Sequence, residues 1–507
     1  MRGAVATGHP LTSRAASDML SFGGNAFDAG VAAGFASVVT EPSLSSLGGG
    51  GFFLSHEQGT NTDTIFDFFV NTPGSGQSAG IKPEMTPIGI EFPGCTQIFH
   101  TGYASAAVPG MLKGLLHVHE KLCTLPLEVI LKPAMSYLEK GVEVNEHHEI
   151  FLRLLTPIMT SSEYGRELFI INGRYARQHD RLFNPQLKNF FHKLADNNCD
   201  LYSGQIAEGL VKEMQEQKGL ITMDDLHSYK VVERQPLRFR YRDTEILTNS
   251  PPSLGGIKLA LSLFLLEKMD SYGSPPSEKF FITMVETMKE MYHYQPVRNG
   301  VPITYPFSDL LTSSLLESLT KNLSRTFTST KGTTHISVVD EEGNAISMST
   351  SNGSGSGCFI PGTGIMLNNM MGEDDLHPEG FFSSPPNQRV ASMMLPTMIM
   401  KDGKVKCVMG SGGSKRIRTA ILQTIINIID FNYSLENAVE SPRLHFEDGV
   451  VHIEPDLSEE ITKSIGKHYK VHKWEKKDMY FGGVHCVSGE MQGCGDSRRG
   501  GSFLAVE

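Results

Sequence analysis

Long apolar runs are absent from this sequence of 507 residues. A helix that crosses a membrane needs about 20 consecutive apolar residues, so no such helix is predicted. Residues 7–10 (TGHP) come early in the chain, with no apolar leader or small-residue cleavage site ahead of them. We therefore expect a cytoplasmic protein, or a periplasmic or secreted one if a leader was removed.

Cysteine is scarce, and its spacing is irregular. The chain has seven cysteines, an odd number, and no two of them form a CxxC pair, which argues against both a disulfide framework and a zinc site. The histidines form no HExxH motif, and the glycines at residues 48–51 are not followed by the GK[ST] of a phosphate-binding loop. The sequence therefore predicts neither a metal nor a cofactor.

A strong excess of basic charge is also missing. The chain has 45 Lys and Arg against 56 Asp and Glu, a net charge of −11, and the basic residues are scattered. Proteins that bind nucleic acid usually concentrate basic residues on one face, and a polybasic membrane patch requires the same kind of cluster. We therefore expect neither a nucleic-acid partner nor a membrane partner.

A β-hairpin is the clearest local pattern that is present. Residues 335–340 alternate apolar and polar side chains, residues 341–344 have turn chemistry, and residues 345–350 alternate again. Two threonines, Thr333 and Thr334, lie at the start of the first strand. A hydroxyl at a strand end is by itself an ordinary turn or ladder residue, so its interpretation depends on the surrounding sequence.

The surrounding sequence resembles a known family. Thr333-Thr334-His335 with the hairpin, and then residues 362–369 (GTGIMLNN), are similar to the start of the small subunit of γ-glutamyltranspeptidases, which are N-terminal-nucleophile hydrolases. The resemblance implies cleavage between Gly332 and Thr333, after which Thr333 is both the N-terminus and the nucleophile. A free α-amine on the same residue can accept the hydroxyl proton. We expect Gly332 to supply an exposed carbonyl on a strained backbone.

The resemblance also implies the architecture. The expected fold class is α+β, a four-layer αββα sandwich, with helices at residues 12–22 and 26–39 covering one face. Residues 1–332 would form a large subunit and residues 333–507 a small one, together one intertwined globular domain. The segment at residues 324–331 has the composition of an exposed loop, where cleavage would open the chain.

Other segments are predicted from local patterns alone. Residues 73–97 are rich in glycine and proline and predict a loop, and residues 146–198 predict helices with breaks. Strands are expected at residues 393–400 and 405–409, and a helix at residues 418–431.

Several residues after the nucleophile match family positions. Glycine amides can approach an oxyanion closely, and the resemblance assigns that role to Gly412 and Gly413, for which an ordinary turn is the alternative. Ser351, or Thr350 if the family spacing is kept, would support the nucleophile. Asn352 would hold the substrate, and a flexible loop is the alternative for this Ser/Gly-rich stretch.

The chain departs from the family where the substrate carboxylate is bound. Phe69 stands where other members have an arginine that clamps the α-carboxylate of the substrate. An aromatic ring cannot replace a bidentate guanidinium. Weaker binding of γ-glutamyl compounds is therefore expected, unless Arg389 or Arg416 supplies the missing cation.

The chain also departs where the substrate amino group is bound. Met370 and Glu373 occupy positions that usually grip this group, and Glu373 or Asp374 would still pair with an ammonium. Ser392 keeps the first serine of a Ser-Ser-Met motif, whereas Met393 replaces the second. The substrate-binding residues are therefore more apolar than in the usual members.

These residues predict an enzyme that processes itself and needs no cofactor. It would cleave a small-molecule γ-glutamyl or related amide through an acyl-Thr333 intermediate and pass the acyl group to water, an amino acid or a peptide. One alternative is an acylase for glutaryl-type side chains, which Phe69, Met370 and Met393 favour. Another is a catalytically silent homologue that binds ligand without turnover.

Overall fold

The computed structural model describes residues 2–76, 82–92, 95–268, 273–275, 277–293, 297–298, 301–302, 332–377 and 380–507. The segment at residues 324–331, expected to be exposed, lies outside the described residues. Among those described, no helix is both long and apolar enough to cross a membrane.

One layer is a seven-stranded sheet, in which all neighbouring strands are antiparallel. At its centre lies the nucleophile hairpin, which consists of strands Gly332–Asp340 and Ala345–Gly353. The strands in spatial order are Val232–Arg234, Thr62–Phe68, Gly50–Glu57, Ala345–Gly353, Gly332–Asp340, Gly3–Thr7 and Ser502–Val506. The predicted hairpin is confirmed.

The next layer is a six-stranded antiparallel sheet. Its strands in spatial order are Leu237–Tyr241, Thr244–Thr248, Thr397–Lys401, Lys404–Gly412, Gly483–Ser488 and Gly493–Cys494. Serine hydroxyls of the nucleophile hairpin cross to this sheet: Ser337 Oγ donates to the His485 carbonyl at 3.1 Å, and Ser347 Oγ to the Met409 carbonyl at 2.9 Å. The two sheets therefore pack face to face.

Helices cover the outer face of each sheet. Pro10–Ser21 and Ala26–Thr40 pack on the seven-stranded sheet, whereas Leu254–Lys268 and Arg416–Ile429 pack on the six-stranded sheet. Glu278–His293 packs against Leu254–Lys268. Every residue of Ala26–Thr40 is buried, and its alanines and glycines let the helix approach the strands closely. The layers are thus helix, sheet, sheet and helix, as predicted.

The remaining elements surround this sandwich. Further α-helices are Met111–Leu122, Leu127–Lys140, Glu146–Met159, Glu163–Phe169, Pro185–Ala195, Gly204–Glu216, Met223–Ser228, Leu435–Glu440 and Glu459–Gly466. A three-stranded sheet contains Leu444–Glu447, Val450–Ile453 and Lys470–Lys473, and short two-stranded pieces are Val142–Glu143 with Arg181–Leu182, Ile170–Ile171 with Arg174–Tyr175, Val297–Arg298 with Val301–Pro302, and Phe359–Ile360 with Ile365–Met366.

Some element predictions need correction. The loop predicted at residues 73–97 contains strand Thr86–Phe92, which pairs with Cys95–Thr101, because alternating apolar residues outweigh one proline and one glycine. The strand predicted from residue 393 begins at Thr397, directly after Pro396, which has no N–H to donate. The helix predicted at residues 418–431 is Arg416–Ile429.

Candidate active site

Thr333 and Ser351 face each other across the nucleophile hairpin. They are paired in the strand register, and Thr333 Oγ1 donates a hydrogen bond to Ser351 Oγ at 3.4 Å. Both side chains are buried. Thr350, the other candidate for the supporting hydroxyl, lies opposite Thr334. The structure therefore places Ser351, and not Thr350, beside the predicted nucleophile.

The peptide bond between Gly332 and Thr333 lies at a register shift. Gly332 pairs with Gly353 whereas Thr333 pairs with Ser351, so Asn352 is the extra residue of a β-bulge. Ser351 Oγ donates to the Gly332 carbonyl oxygen at 2.5 Å and accepts from the Gly353 N–H at 3.0 Å. The Ser351 hydroxyl therefore links the predicted attacking hydroxyl to the carbonyl that it would attack.

The expectation about Gly332 needs correction. Gly332 is buried, and its φ is not among the positive values of the chain, so the residue is neither exposed nor in a conformation reserved for glycine. Glycine is needed here for space. A Cβ atom on Gly332 would lie 2.5 Å from the Gly353 carbonyl oxygen and 2.8 Å from that of Ser43.

Of the two predicted oxyanion glycines, Gly412 lies against Thr333. Gly412 ends strand Lys404–Gly412, and a Cβ atom on it would lie 2.2 Å from the Thr333 carbonyl oxygen. Gly413 has φ +124°, a conformation that favours glycine, and a Cβ atom on it would lie 3.0 Å from Gly482 Cα. The role of both glycines as oxyanion donors stays a prediction, which the proximity to Thr333 supports for Gly412.

Arg499 is a buried cation at the site that the sequence patterns did not single out. Its Nη1 lies 3.5 Å from the Thr333 carbonyl oxygen and would lie 2.9 Å from a Cβ atom on Gly412. Burial, together with the nearby charge of Arg416, lowers the pKa of Arg499 to about 10. The guanidinium therefore remains charged at neutral pH, directly beside the predicted nucleophile Thr333.

Glu41 is a second residue that the patterns missed. It directly follows helix Ala26–Thr40 as its C-cap residue. Thr334 Oγ1 donates to one carboxylate oxygen at 2.7 Å, and Thr12 Oγ1 donates to the other at 3.2 Å. Burial raises the pKa of Glu41 to about 7, although these hydrogen bonds and Arg499 act in the opposite direction. A carboxyl with a pKa near neutrality thus contacts Thr334, the neighbour of the predicted nucleophile.

His335 does not act as a general base in this arrangement. Its two ring nitrogens bond Ser349 Oγ at 2.8 Å and Ser337 Oγ at 2.9 Å, and the ring is buried against Gly410. Burial, with the nearby His485, lowers the pKa of His335 well below its usual range. The histidine of the Thr-Thr-His motif is therefore a neutral packing residue between the two sheets.

Glu373 and Asn352 lie near the bulge. A Cβ atom on Gly353 would lie 2.6 Å from Glu373 Oε1, which places this buried carboxylate next to the hairpin. Asn352 donates through Nδ2 to the Leu367 carbonyl at 3.4 Å, and its Oδ1 has no hydrogen-bond partner among the described residues. Asp374 is partly exposed and begins a short 3₁₀ helix. Substrate contacts for all three stay predictions.

Within the described part of the chain, no group of three His, Cys, Asp or Glu side chains is placed to hold a metal ion. A cleft of about 1070 Å³ opens elsewhere, beside strands Thr86–Phe92 and Cys95–Thr101, and none of the predicted site residues lines it.

Comparison with known proteins identifies the family. The model of the γ-glutamyltranspeptidase family matches residues 12–506. The chain belongs to this family. It is 31% identical to a glutathione hydrolase proenzyme of Escherichia coli strain K12, over 88% of this chain and 81% of that protein. It is 29% identical to the acylase ACY 1 proenzyme of Pseudomonas sp. strain SE83, over 100% of this chain and 94% of that protein.

Two solved structures share the fold. A cephalosporin acylase from Bacillus halodurans has a TM-score of 0.84 at 22% identity, covering 100% of this chain and 96% of that one. The γ-glutamyltranspeptidase of Helicobacter pylori has a TM-score of 0.53 at 26% identity, covering 63% of this chain and 91% of that one. The first of these likenesses is evidence for the fold alone.

Phe69, which the sequence resemblance assigns to the position of a carboxylate-binding arginine, lies in the apolar core. Its ring stacks on Phe52 with 5.4 Å between centroids, and it is 1% exposed. Met370 is buried in the same apolar cluster. Ser392 Oγ accepts from the Met394 N–H at 3.1 Å, and Met393 is partly exposed. A substrate contact for these four predicted residues stays a prediction.

The two candidates for a replacement cation already have protein partners. Arg389 Nε lies 3.0 Å from Asp67 Oδ1, and its Nη1 donates to Asn71 Oδ1 at 2.8 Å. Arg416 Nη1 lies 3.6 Å from a Glu447 carboxylate oxygen. Neither guanidinium is therefore available to a substrate carboxylate without giving up a contact within the protein.

Proposed function

We propose that this chain is a self-processing γ-glutamyltransferase or glutathione hydrolase-like enzyme that acts through an acyl-Thr333 intermediate. The observation that carries the proposal is the hydrogen-bonded chain from Thr333 Oγ1 through Ser351 Oγ to the Gly332 carbonyl. Membership in the γ-glutamyltranspeptidase family supports it, as do relatives that are named proenzymes.

Self-cleavage follows from this geometry. Thr333 Oγ1 attacks the Gly332 carbonyl carbon and gives its proton to Ser351 Oγ, while the Ser351 proton moves to the carbonyl oxygen. The tetrahedral intermediate then collapses: the carbon–nitrogen bond breaks, the proton passes to the Thr333 nitrogen, and an ester joins Gly332 to Thr333 Oγ1. Water hydrolyses the ester, which leaves a carboxylate on Gly332 and frees the amine and hydroxyl of Thr333.

The liberated α-amine then serves the second reaction. It accepts the Thr333 hydroxyl proton as Oγ1 attacks the substrate amide, and the leaving amine takes that proton when the acyl-enzyme forms. Gly412 and Gly413 are the expected donors to the oxyanion. Water, an amino acid or a peptide then accepts the acyl group. The two products of cleavage are the large and small subunits of the active enzyme.

A second candidate function is an acylase for glutaryl-type or other side chains. The burial of Phe69 favours it, because the family's arginine clamp has no equivalent there. The acylase relative from Pseudomonas also matches the chain over its whole length. Assays with γ-glutamyl-anilide and glutaryl-anilide, which differ at the α-carbon, separate the two candidates.

Replacement of the nucleophile tests the proposal. Thr333→Ala should abolish both self-cleavage and amide hydrolysis, because both need the hydroxyl. Thr333→Ser should retain part of both, because it removes only a methyl group. Intact mass of the purified protein reports cleavage, and anilide hydrolysis reports turnover.

Three results would contradict parts of the proposal. Cleavage of the Ala variant at Gly332 would mean that an outside protease cuts the chain. A wild-type protein that stays at full mass and binds ligand without turnover would be the silent homologue. Cleaved wild-type protein that hydrolyses neither anilide would show that the acyl group belongs to another class.

A further inference from the structure

Arg499 is enclosed by protein, and its guanidinium lies over the Phe151 ring, 5.4 Å from the ring centroid. Its Nη1 approaches the Thr333 carbonyl and its Nη2 the Met479 carbonyl at 3.3 Å, while Nε has no hydrogen-bond partner among the described residues. No carboxylate of the described chain lies within ion-pair distance of it. Burying a cation without a close counter-charge is energetically costly. The burial of Arg499 beside Thr333 therefore indicates a functional role.

Glu41 lies on the other side of the same strand end. Thr333 and Thr334 project to opposite faces because successive side chains alternate in a strand. Arg499 thus approaches the strand at Thr333, and Glu41 bonds Thr334. The two charges also act on each other, since Arg499 lowers the pKa of Glu41 and Glu41 raises that of Arg499. The residue that becomes the N-terminus therefore lies between a cation and a titratable carboxyl.

We propose that Arg499 is a positioning residue that holds the Thr333 carbonyl and keeps the liberated α-amine unprotonated, with Glu41 as the opposing charge. The inference rests on the proposed function, because the amine exists only after cleavage. A nearby positive charge disfavours the ammonium form. An ordinary α-amine has a pKa of about 7.7–8.0, so it would be mostly protonated at neutral pH and unable to accept the Thr333 proton.

Other charged groups surround this strand end. Arg416, Asp496 and Asp478 act on Arg499. Glu373 lies beside Gly353 on the partner strand. Burial lowers the pKa of His485 to about 4, so this neighbour of Gly8 is neutral at the pH of interest. The protonation of the α-amine therefore depends on the positive charge of Arg499 and on the carboxylates of Glu41 and Glu373.

Charge-altering variants at the two residues should shift the pH profile in opposite directions. The measurement is kcat/KM against pH on cleaved enzyme, whose acid limb reports the pKa of the base in the free enzyme. Arg499→Met should move that limb up by about one pH unit, and Glu41→Gln should move it down by a similar amount. Arg499→Lys keeps the charge and should leave the limb near its wild-type position.

A second readout does not depend on turnover. The rate at which acetic anhydride acetylates the N-terminal amine of the small subunit, followed by peptide mass, should show the same shifts. If Arg499→Met remains uncleaved, the pH profiles and acetylation rates of Glu41→Gln and Arg499→Lys test the inference.

Two outcomes would overturn the inference. Loss of activity at every pH with an unshifted limb would mean that Arg499 and Glu41 are structural only. Disappearance of the limb in Glu41→Gln would mean that Glu41 itself is the titrating group. In both cases the wild-type enzyme still cleaves itself and turns over, so the proposed function would stand. A wild-type protein that neither cleaves itself nor turns over substrate would instead refute the proposed function.

Discussion

The burial of Glu41 makes the stability of the protein depend on pH. The residue is 1% exposed, and burial raises the pKa of its carboxyl from 4.5 to about 7. Between these values the native protein retains a proton that the unfolded chain has released. Stability therefore falls as pH rises from about 4.5 to about 7 and shows no further loss from this group above that range.

Glu41→Gln should remove this penalty. A pKa shift of about 2.5 units corresponds to about 3 kcal/mol. The free energy of unfolding of the variant, minus that of the parent, should therefore be higher at pH 8 than at pH 4 by up to this amount. Urea unfolding in a Thr333→Ala background, which keeps one uncut chain, measures the difference. A difference between the two proteins that does not vary with pH would contradict the raised pKa.

The site residues that sequence patterns missed are those defined by distant contacts. The Thr334–Glu41 hydrogen bond joins residues 293 positions apart, and the Arg499–Thr333 contact joins residues 166 positions apart. The periodicity of a short sequence segment cannot predict contacts between residues so far apart in the chain. The choice between Ser351 and Thr350 stayed open for a related reason, because a slip of one residue turns a strand's side chains to the other face.

At the scale of elements, the end of strand Lys404–Gly412 limits what can lie beside the nucleophile. The strand delivers Gly412 against the Thr333 carbonyl, where a Cβ atom would be 2.2 Å from the oxygen. Both partners are backbone in paired strands, so neither can move away alone. The approach of the two sheets at this point therefore depends on the absence of a side chain.

Gly412→Ala should slow self-cleavage at least 100-fold, because a displacement of about 1 Å at a reacting centre can cost this much. The measurement is the rate at which full-length protein disappears, followed by mass. Gly209→Ala is a matched control: this glycine lies in helix Gly204–Glu216, and a Cβ atom there would meet nothing within 4 Å. Equal cleavage rates in the two variants would show that Gly412 does not set the geometry.

Elements with strong local signals were predicted from the sequence, and elements with mixed signals were not. The nucleophile hairpin has alternating strands and a turn, and helix Ala26–Thr40 begins with a capping box from Asn25 and Asp28. Strand Thr86–Phe92 was missed because Pro87 and Gly89 usually indicate a loop. Tertiary packing outweighed these local preferences.

At the scale of the whole molecule, the sheets are built from both sides of the proposed cleavage point. In the seven-stranded sheet, Gly3–Thr7 lies between Gly332–Asp340 and Ser502–Val506, and Gly50–Glu57 pairs with Ala345–Gly353. In the other sheet, Thr244–Thr248 pairs with Thr397–Lys401. Cleavage after Gly332 would therefore leave every layer intact.

The two cleavage products should consequently remain one particle. Cleaved wild-type protein should elute in native size-exclusion chromatography at the volume of uncut Thr333→Ala, and each peak fraction should contain both polypeptides in equal amounts. Only a denaturant should separate them. Separation would break four strand ladders and expose unpaired strand edges, which promote aggregation, so neither product is expected to survive alone in soluble form. Elution of a free small subunit in native buffer would contradict the interleaved assembly.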